Sequence, residues 1–188
     1  GAQPTDVDSG PTQTGVYKTG SVDAGDIDVY TITGNIGSQL ILNLGELVVG
    51  AAWEPQVIVT SPTGAVLLNN NGVEAVTWLS GVLPVTGTYT VMVFDSAGDE
   101  TGTYGLTVGS VGGSTPIVDG DSVAIPSGIT RSGEYQSGDI DFYTTTLSIG
   151  SSLLINVAEP VATTAAPQVI IFDPAGVAIR NVAGVVGI

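Results

Sequence analysis

Aspartates recur in closely spaced pairs along this chain: Asp6 and Asp8, Asp26 and Asp28, then Asp119 and Asp121, Asp139 and Asp141. Carboxylate oxygens are hard donors, and calcium takes about six to eight oxygens. These eight residues are the candidate metal ligands, and calcium is the one cofactor their chemistry suggests. The competing role is local, because an aspartate at a strand entrance caps a turn through nearby backbone amides. In Asp26-Ile27-Asp28 the alternation of a strand puts both carboxylates on one face, with Tyr30 following on the Asp28 side. A partly buried Asp28, hydrogen-bonded to loop amides, is therefore expected. Asp95, Asp99 and Glu100 form a further acidic group in a loop between two late strands.

Catalysis has little to work with. The chain has no histidine and no cysteine, which removes the ordinary triad, the cysteine nucleophile and a conventional zinc site. Two carboxylates can in principle hydrolyse glycosides, but no pair is marked out by an aromatic-lined cleft. The protein is not expected to be an enzyme. Trp53, in the loop-like stretch Gly50-Ala51-Ala52-Trp53-Glu54-Pro55, is the candidate ligand-binding residue, as a platform for sugar stacking. Trp78 alternates with Val76 and reads as core.

Charge narrows the partners. With 18 acids against Lys18, Arg131 and Arg180, the net charge is −15, which excludes nucleic-acid backbones and disfavours anionic membranes. No apolar run is long enough for a membrane-spanning helix, so membrane insertion is not expected. Only 11% of residues are charged, against about 25% in ordinary soluble domains. The surface must then consist largely of Thr, Ser, Gly and apolar groups, which protect poorly against association.

The elements that must position these residues are strands. Period-two alternation bounded by Gly, Pro, Asn and Asp pervades the chain, and helical periodicity is nearly absent. Leu40, Leu42 and Leu44 line one face of a strand; Tyr89, Val91 and Val93 line another, and Tyr104, Leu106 and Val108 a third. Further strands are expected at 27–33, 56–60, 65–68, 75–79, 140–146, 153–157 and 169–172. Ser61-Pro62-Thr63-Gly64 and Asp173-Pro174-Ala175-Gly176 have turn chemistry, Asn69-Asn70-Asn71-Gly72 suits a hairpin end, and 109–115 reads as a linker.

The chain also repeats itself. Gly25-Asp26-Ile27-Asp28-Val29-Tyr30 returns as Gly138-Asp139-Ile140-Asp141-Phe142-Tyr143, an offset of 113 residues from position 25 to position 138. Pro55-Gln56-Val57-Ile58-Val59 returns as Pro167-Gln168-Val169-Ile170-Ile171 at an offset of 112. Two tandem units are expected, at 1–113 and 114–188, with nothing in the second corresponding to residues 77–108.

The order of motifs resembles the bacterial pre-peptidase C-terminal domain. Gly25-Asp26-Ile27-Asp28-Val29-Tyr30 comes first, then Gly37 before the Leu40 strand, then Pro62-Thr63-Gly64. Leu83-Pro84-Val85-Thr86-Gly87-Thr88-Tyr89 and Gly102-Thr103-Tyr104-Gly105-Leu106 complete the pattern. The second copy matches from Gly138 to Gly176 and lacks the Leu-Pro…Gly-Thr-Tyr hairpin. The resemblance implies two tandem antiparallel β-sandwich, jelly-roll-like domains, the second lacking its C-terminal strands. It also implies a non-catalytic secreted module, of a family in which some members bind calcium or fibrous substrates.

A sandwich without its last strands exposes apolar surface and open edges. One explanation is a longer parent chain. The other is a neighbour that donates strands or covers the gap, and a head-to-tail contact of that kind propagates as a filament. The uncharged tail, with Val182, Val185, Val186 and Ile188, is the candidate assembly segment. The functional expectation is a structural or adhesive protein, secreted to a cell surface and partnered by copies of itself or by other surface proteins. The alternative is a targeting module of a larger secreted enzyme, binding protein or polysaccharide with calcium.

Overall fold

The computed structural model describes residues 8–112, 116–120, 124–158 and 167–184. Asp6, Asp121, Val185, Val186 and Ile188 lie outside them. The strands in chain order are β1 (Gly10–Pro11), β2 (Tyr17–Val22), β3 (Asp28–Gly34), β4 (Gln39–Glu46), β5 (Pro55–Thr60) and β6 (Val66–Asn71). They continue with β7 (Ala75–Leu79), β8 (Gly87–Asp95), β9 (Gly102–Val111), β10 (Gln168–Phe172) and β11 (Ala178–Ala183).

Residues 8–112 form an all-β sandwich. One sheet runs β1-β3-β8-β5-β6 and the other β2-β9-β4-β7. Every pairing is antiparallel except the short β1–β3 contact, which is parallel. Alternation builds the core between them: Leu40, Leu42 and Leu44 from one sheet meet Tyr89, Val91 and Val93 from the other. Strand β9 departs from alternation, because it is buried on both faces from Tyr104 to Ser110. Its inner residues Tyr104, Leu106 and Val108 belong to the core, while Gly105, Thr107 and Gly109 face outward beneath the second repeat.

The second repeat copies local detail of the first. The β1–β3 pair Pro11–Thr31 returns 113 residues on as the parallel bridge Ala124–Thr144. Hairpin β10–β11 reproduces the register of β5–β6, including the irregularity before its last pair. Gly64 and Gly176 occupy equivalent turns with φ of 82° and 88°, and each donates its N–H to the residue three back, Ser61 or Asp173.

Several expected elements differ. Residues 140–146 and 153–157 form no strand, although their sequences alternate. In the first repeat β3 lies between β1 and β8, and β4 between β9 and β7. Of those four neighbours only β1 has a counterpart among the described residues of the second repeat, the single bridge Ala124–Thr144, so a ladder has little to grow against. The linker begins later than its composition suggests, because 109–111 belong to β9. Asn69, Asn70 and Asn71 lie inside β6 rather than at a hairpin end.

Candidate functional site

The two repeats meet on the outward face of β9 and β4, and this seam is where the chain assembles its most specific contacts. A Cβ on Gly105 would overlap the Ser137 carbonyl and the Tyr17 hydroxyl; one on Gly109 would overlap the Phe142 ring. Gly45 leaves room for the Ser137 hydroxyl and would place a Cβ 2.8 Å from the Gly138 nitrogen. Only residues without side chains let the turn at 137–139 come this close. Tyr17 Oη donates to Ser137 O at 3.1 Å, and Asn43 Nδ2 donates to Asp139 O at 3.0 Å. Thr77 Oγ1 donates to Asn43 Oδ1 at 2.8 Å, which fixes the orientation of that amide. Phe142 is buried against the same face. At the far end Ala178 donates its N–H to Gln39 Oε1 at 2.7 Å.

Beside the turn lies a cleft of about 410 Å³ whose walls include Tyr17, Asp119, Glu134 and Asp139. Burial, followed by the negative charge of Asp139, pushes the Tyr17 hydroxyl above its ordinary range. The cleft therefore keeps Tyr17 protonated as a donor, the form its bond to Ser137 requires.

The candidate ligands distribute as follows. Asp8 Oδ2 accepts from Ser21 N and Oγ at 3.0 and 3.2 Å. Asp26 accepts from Ile27 N, and its counterpart Asp139 accepts from Ile140 N. Asp119 Oδ2 accepts from Phe142 N at 3.0 Å. Asp141 follows Asp139 in the same stretch, with one buried carboxylate oxygen. Asp28 is fully buried, and its Oδ2 accepts from the Tyr104 hydroxyl. Tyr104 in turn shares a 2.8 Å hydrogen bond with Tyr30. Burial, then the bonds to Asp28 and Tyr30, drives the Tyr104 hydroxyl far above its ordinary range. Among the described residues no three carboxylates gather as a cation site.

The stacking platform expected at Trp53 is corrected by its burial. Its indole is fully enclosed, 6.1 Å from the Tyr104 ring, and fills the space left by the missing side chain of Gly102. No face is left to meet a sugar. Asp95 organises the acidic loop from within: its carboxylate accepts from Glu54 N at 2.9 Å, Gly98 N at 2.7 Å and Asp99 N at 3.1 Å. Burial raises its pKa, but the backbone N–H groups outweigh that and hold it below the ordinary value. Glu46 is the group that sequence reasoning missed. It continues the Leu40, Leu42, Leu44 face into the interior, and neither carboxylate oxygen has a hydrogen bond of normal geometry.

The assembly candidate Val182 lies in β11 and pairs with Val169.

No family model matches the chain, and no curated protein matches it at significance. Similar solved structures include the periplasmic inhibitor of g-type lysozyme PliG from Aeromonas hydrophila, 22% identical with a TM-score of 0.44, covering 54% of this chain and 95% of that one. The pre-peptidase C-terminal domain of a Bacillus anthracis collagenase is 18% identical with a TM-score of 0.41, covering 53% and 93%. The Yersinia pseudotuberculosis-derived mitogen is 15% identical with a TM-score of 0.35, covering 50% and 83%. These are likenesses of fold alone. The all-β sandwich expected from the sequence is the architecture observed.

Proposed function

We propose that this chain is a non-catalytic extracellular structural protein whose second repeat is completed by strands of a neighbouring subunit, building a filament or layer at a cell surface. The observation that carries the reading is the edge of β10 that has no strand beside it among the described residues. In the first repeat β5 lies between β6 and β8, and in the second β10 has β11 on one side and no described strand on the other. An incoming strand with the alternation of β8, apolar inward and threonine outward, matches such an edge. Elsewhere in the second repeat Ile149 and Leu154 are almost wholly exposed, as groups awaiting cover would be. The sparse surface charge and the lack of histidine and cysteine support an associating, non-catalytic role.

Hydrogen exchange on residues 168–172 of the full chain, followed across concentration alongside sedimentation velocity, tests this. Association with slowed exchange along β10 is expected. A chain that stays monomeric at every concentration, with β10 exchange unchanged, overturns it.

A further inference from the structure

We propose that β6 is a self-pairing edge: two copies of this chain join antiparallel along Asn69-Asn70-Asn71 about a two-fold axis at Asn70, so that two five-stranded sheets become one. The contact lies wholly in the first repeat and goes beyond the completion of the second.

Strand β6 ends its sheet, and among the described residues no strand lies outside it. Along an antiparallel ladder, bonded and non-bonded pairs alternate. Gly72 N donates to Pro55 O at 3.0 Å, so the next bonded pairs are Asn70 with Val57 and Leu68 with Val59. The main-chain N–H and C=O groups of Asn69 and Asn71 therefore point away from β5. All three asparagines are exposed. Such an edge is a template for another strand unless charge, proline or a bulge guards it. The one irregularity of this ladder comes at Leu67, before the asparagines. From residue 55 to residue 73 the chain has no charged side chain.

The side chains say which strand fits. With the axis at Asn70, Asn69 of each copy lies opposite Asn71 of the other, and Asn70 opposite itself. Every facing pair is then amide on amide, and a primary amide both donates and accepts, so it is its own complement. Asn69 Oδ1 already accepts from Gln56 Nε2 at 2.7 Å, which leaves its NH2 to reach across. Two chains of net charge −15 repel over most of their surface, and this hairpin offers a contact with no charge on either side. The second repeat provides the contrast. Its hairpin keeps the same cross-strand amide bond, Gln168 Nε2 to Asn181 Oδ1 at 2.9 Å, but Val182 and Ala183 replace the next two asparagines and Arg180 stands where β6 has Leu68. The other edges of the first repeat are also less suited: β1 has two residues, β2 carries Lys18, and β7 follows directly on Glu74. A contact this short is small beside the about 1,200–2,000 Å² of a stable interface, so the isolated dimer is weak. Edges repeated along a filament act together and join filaments side by side.

The chain has no cysteine, so the pairing can be trapped cleanly. Full-length Asn70→Cys is oxidised mildly at rising concentration, while amide exchange at 69, 71 and 168–172 is followed in the unsubstituted chain. A disulfide dimer through position 70 is expected, because residues facing at a non-bonded site have Cα atoms about 4.5 Å apart, within disulfide reach. Exchange at 69 and 71 should slow over the same concentrations. Asn70→Lys puts like charges face to face and should weaken the dimer by about tenfold or more, although it reduces the net negative charge. Asn70 is exposed, so the melting temperature of the dilute monomer should not move. Slowed exchange at 69 and 71 without the disulfide, or a dimer indifferent to Asn70→Lys, overturns the self-pairing edge. Slowing at 168–172 alone overturns it too and leaves strand completion standing; slowing at 69 and 71 alone does the reverse, and slowing at neither overturns both.

Discussion

Replacing Glu46 by methionine makes the protein more stable at neutral pH. The carboxylate ends the inward row of β4, is 1% exposed and has no hydrogen bond of normal geometry on either oxygen. Burial first, and the charge of Glu74 second, push its pKa above the ordinary carboxylate value; the Gly50 amide lies close enough to oppose this only in part. An acid whose folded pKa is raised binds more protons folded than unfolded, so stability falls as pH rises through the window above the unfolded value. A buried polar group left unsatisfied costs about 1–3 kcal/mol, and swapping such groups for apolar ones of similar shape is often stabilising. Glu46→Met should then gain about 2 kcal/mol at pH 7, or about 10 °C in melting temperature for a domain near this size. The gain should shrink toward pH 4, where the wild-type carboxyl is protonated. Calorimetry at both pH values checks it. A variant that melts below wild type at pH 7, or a gap that does not narrow in acid, refutes the reasoning.

Asp95→Ala leaves backbone N–H groups of the 95–100 loop unpaired and should cost about 3 kcal/mol at neutral pH. Its folded pKa is depressed, so this contribution is present above the unfolded value of about 3.9 and disappears as pH falls through the folded one, as urea titrations would record. Trp53→Ala should destabilise by about 3–5 kcal/mol by emptying a core position, measured by chemical denaturation. Tyr104→Phe strips the buried Asp28 of a charge-assisted bond and Tyr30 of its partner, and a loss of about 2–4 kcal/mol in the same assay is expected. Gly105→Val should expel the 137–139 turn, seen as faster proteolytic cleavage within 124–142, with little change in the first repeat's melting.

Much of the fold is legible in the chain because alternation and turn chemistry are local signals. Ala75–Leu79 is the span expected, and β4, β8 and β9 extend their expected cores by a residue or more at each end. Strand β2 escaped because Tyr17-Lys18-Thr19-Gly20-Ser21-Val22 has little apolar alternation; its ladder with β9 sets its conformation. Residues 140–146 and 153–157 failed in the opposite sense. Their alternation fits a strand, but a strand also needs a neighbour, and pairing is a long-range property. Trp53 misled for a related reason, since the space for its indole is made by Gly102, far along the chain. The seam did leave a trace: Gly105, Thr107 and Gly109 are small residues at alternate positions of a strong strand, which marks a face approached closely by other backbone.

That seam reads main chain. Tyr17 and Asn43 address carbonyl oxygens, and the glycines contribute by having nothing in the way. Selection on the receiving side of such a joint acts chiefly against bulk, while on the incoming side the buried Phe142 ring is the side chain that must fit. Modules of this kind can diverge widely, or be shuffled and recombined, and still click together, provided a handful of positions never grow.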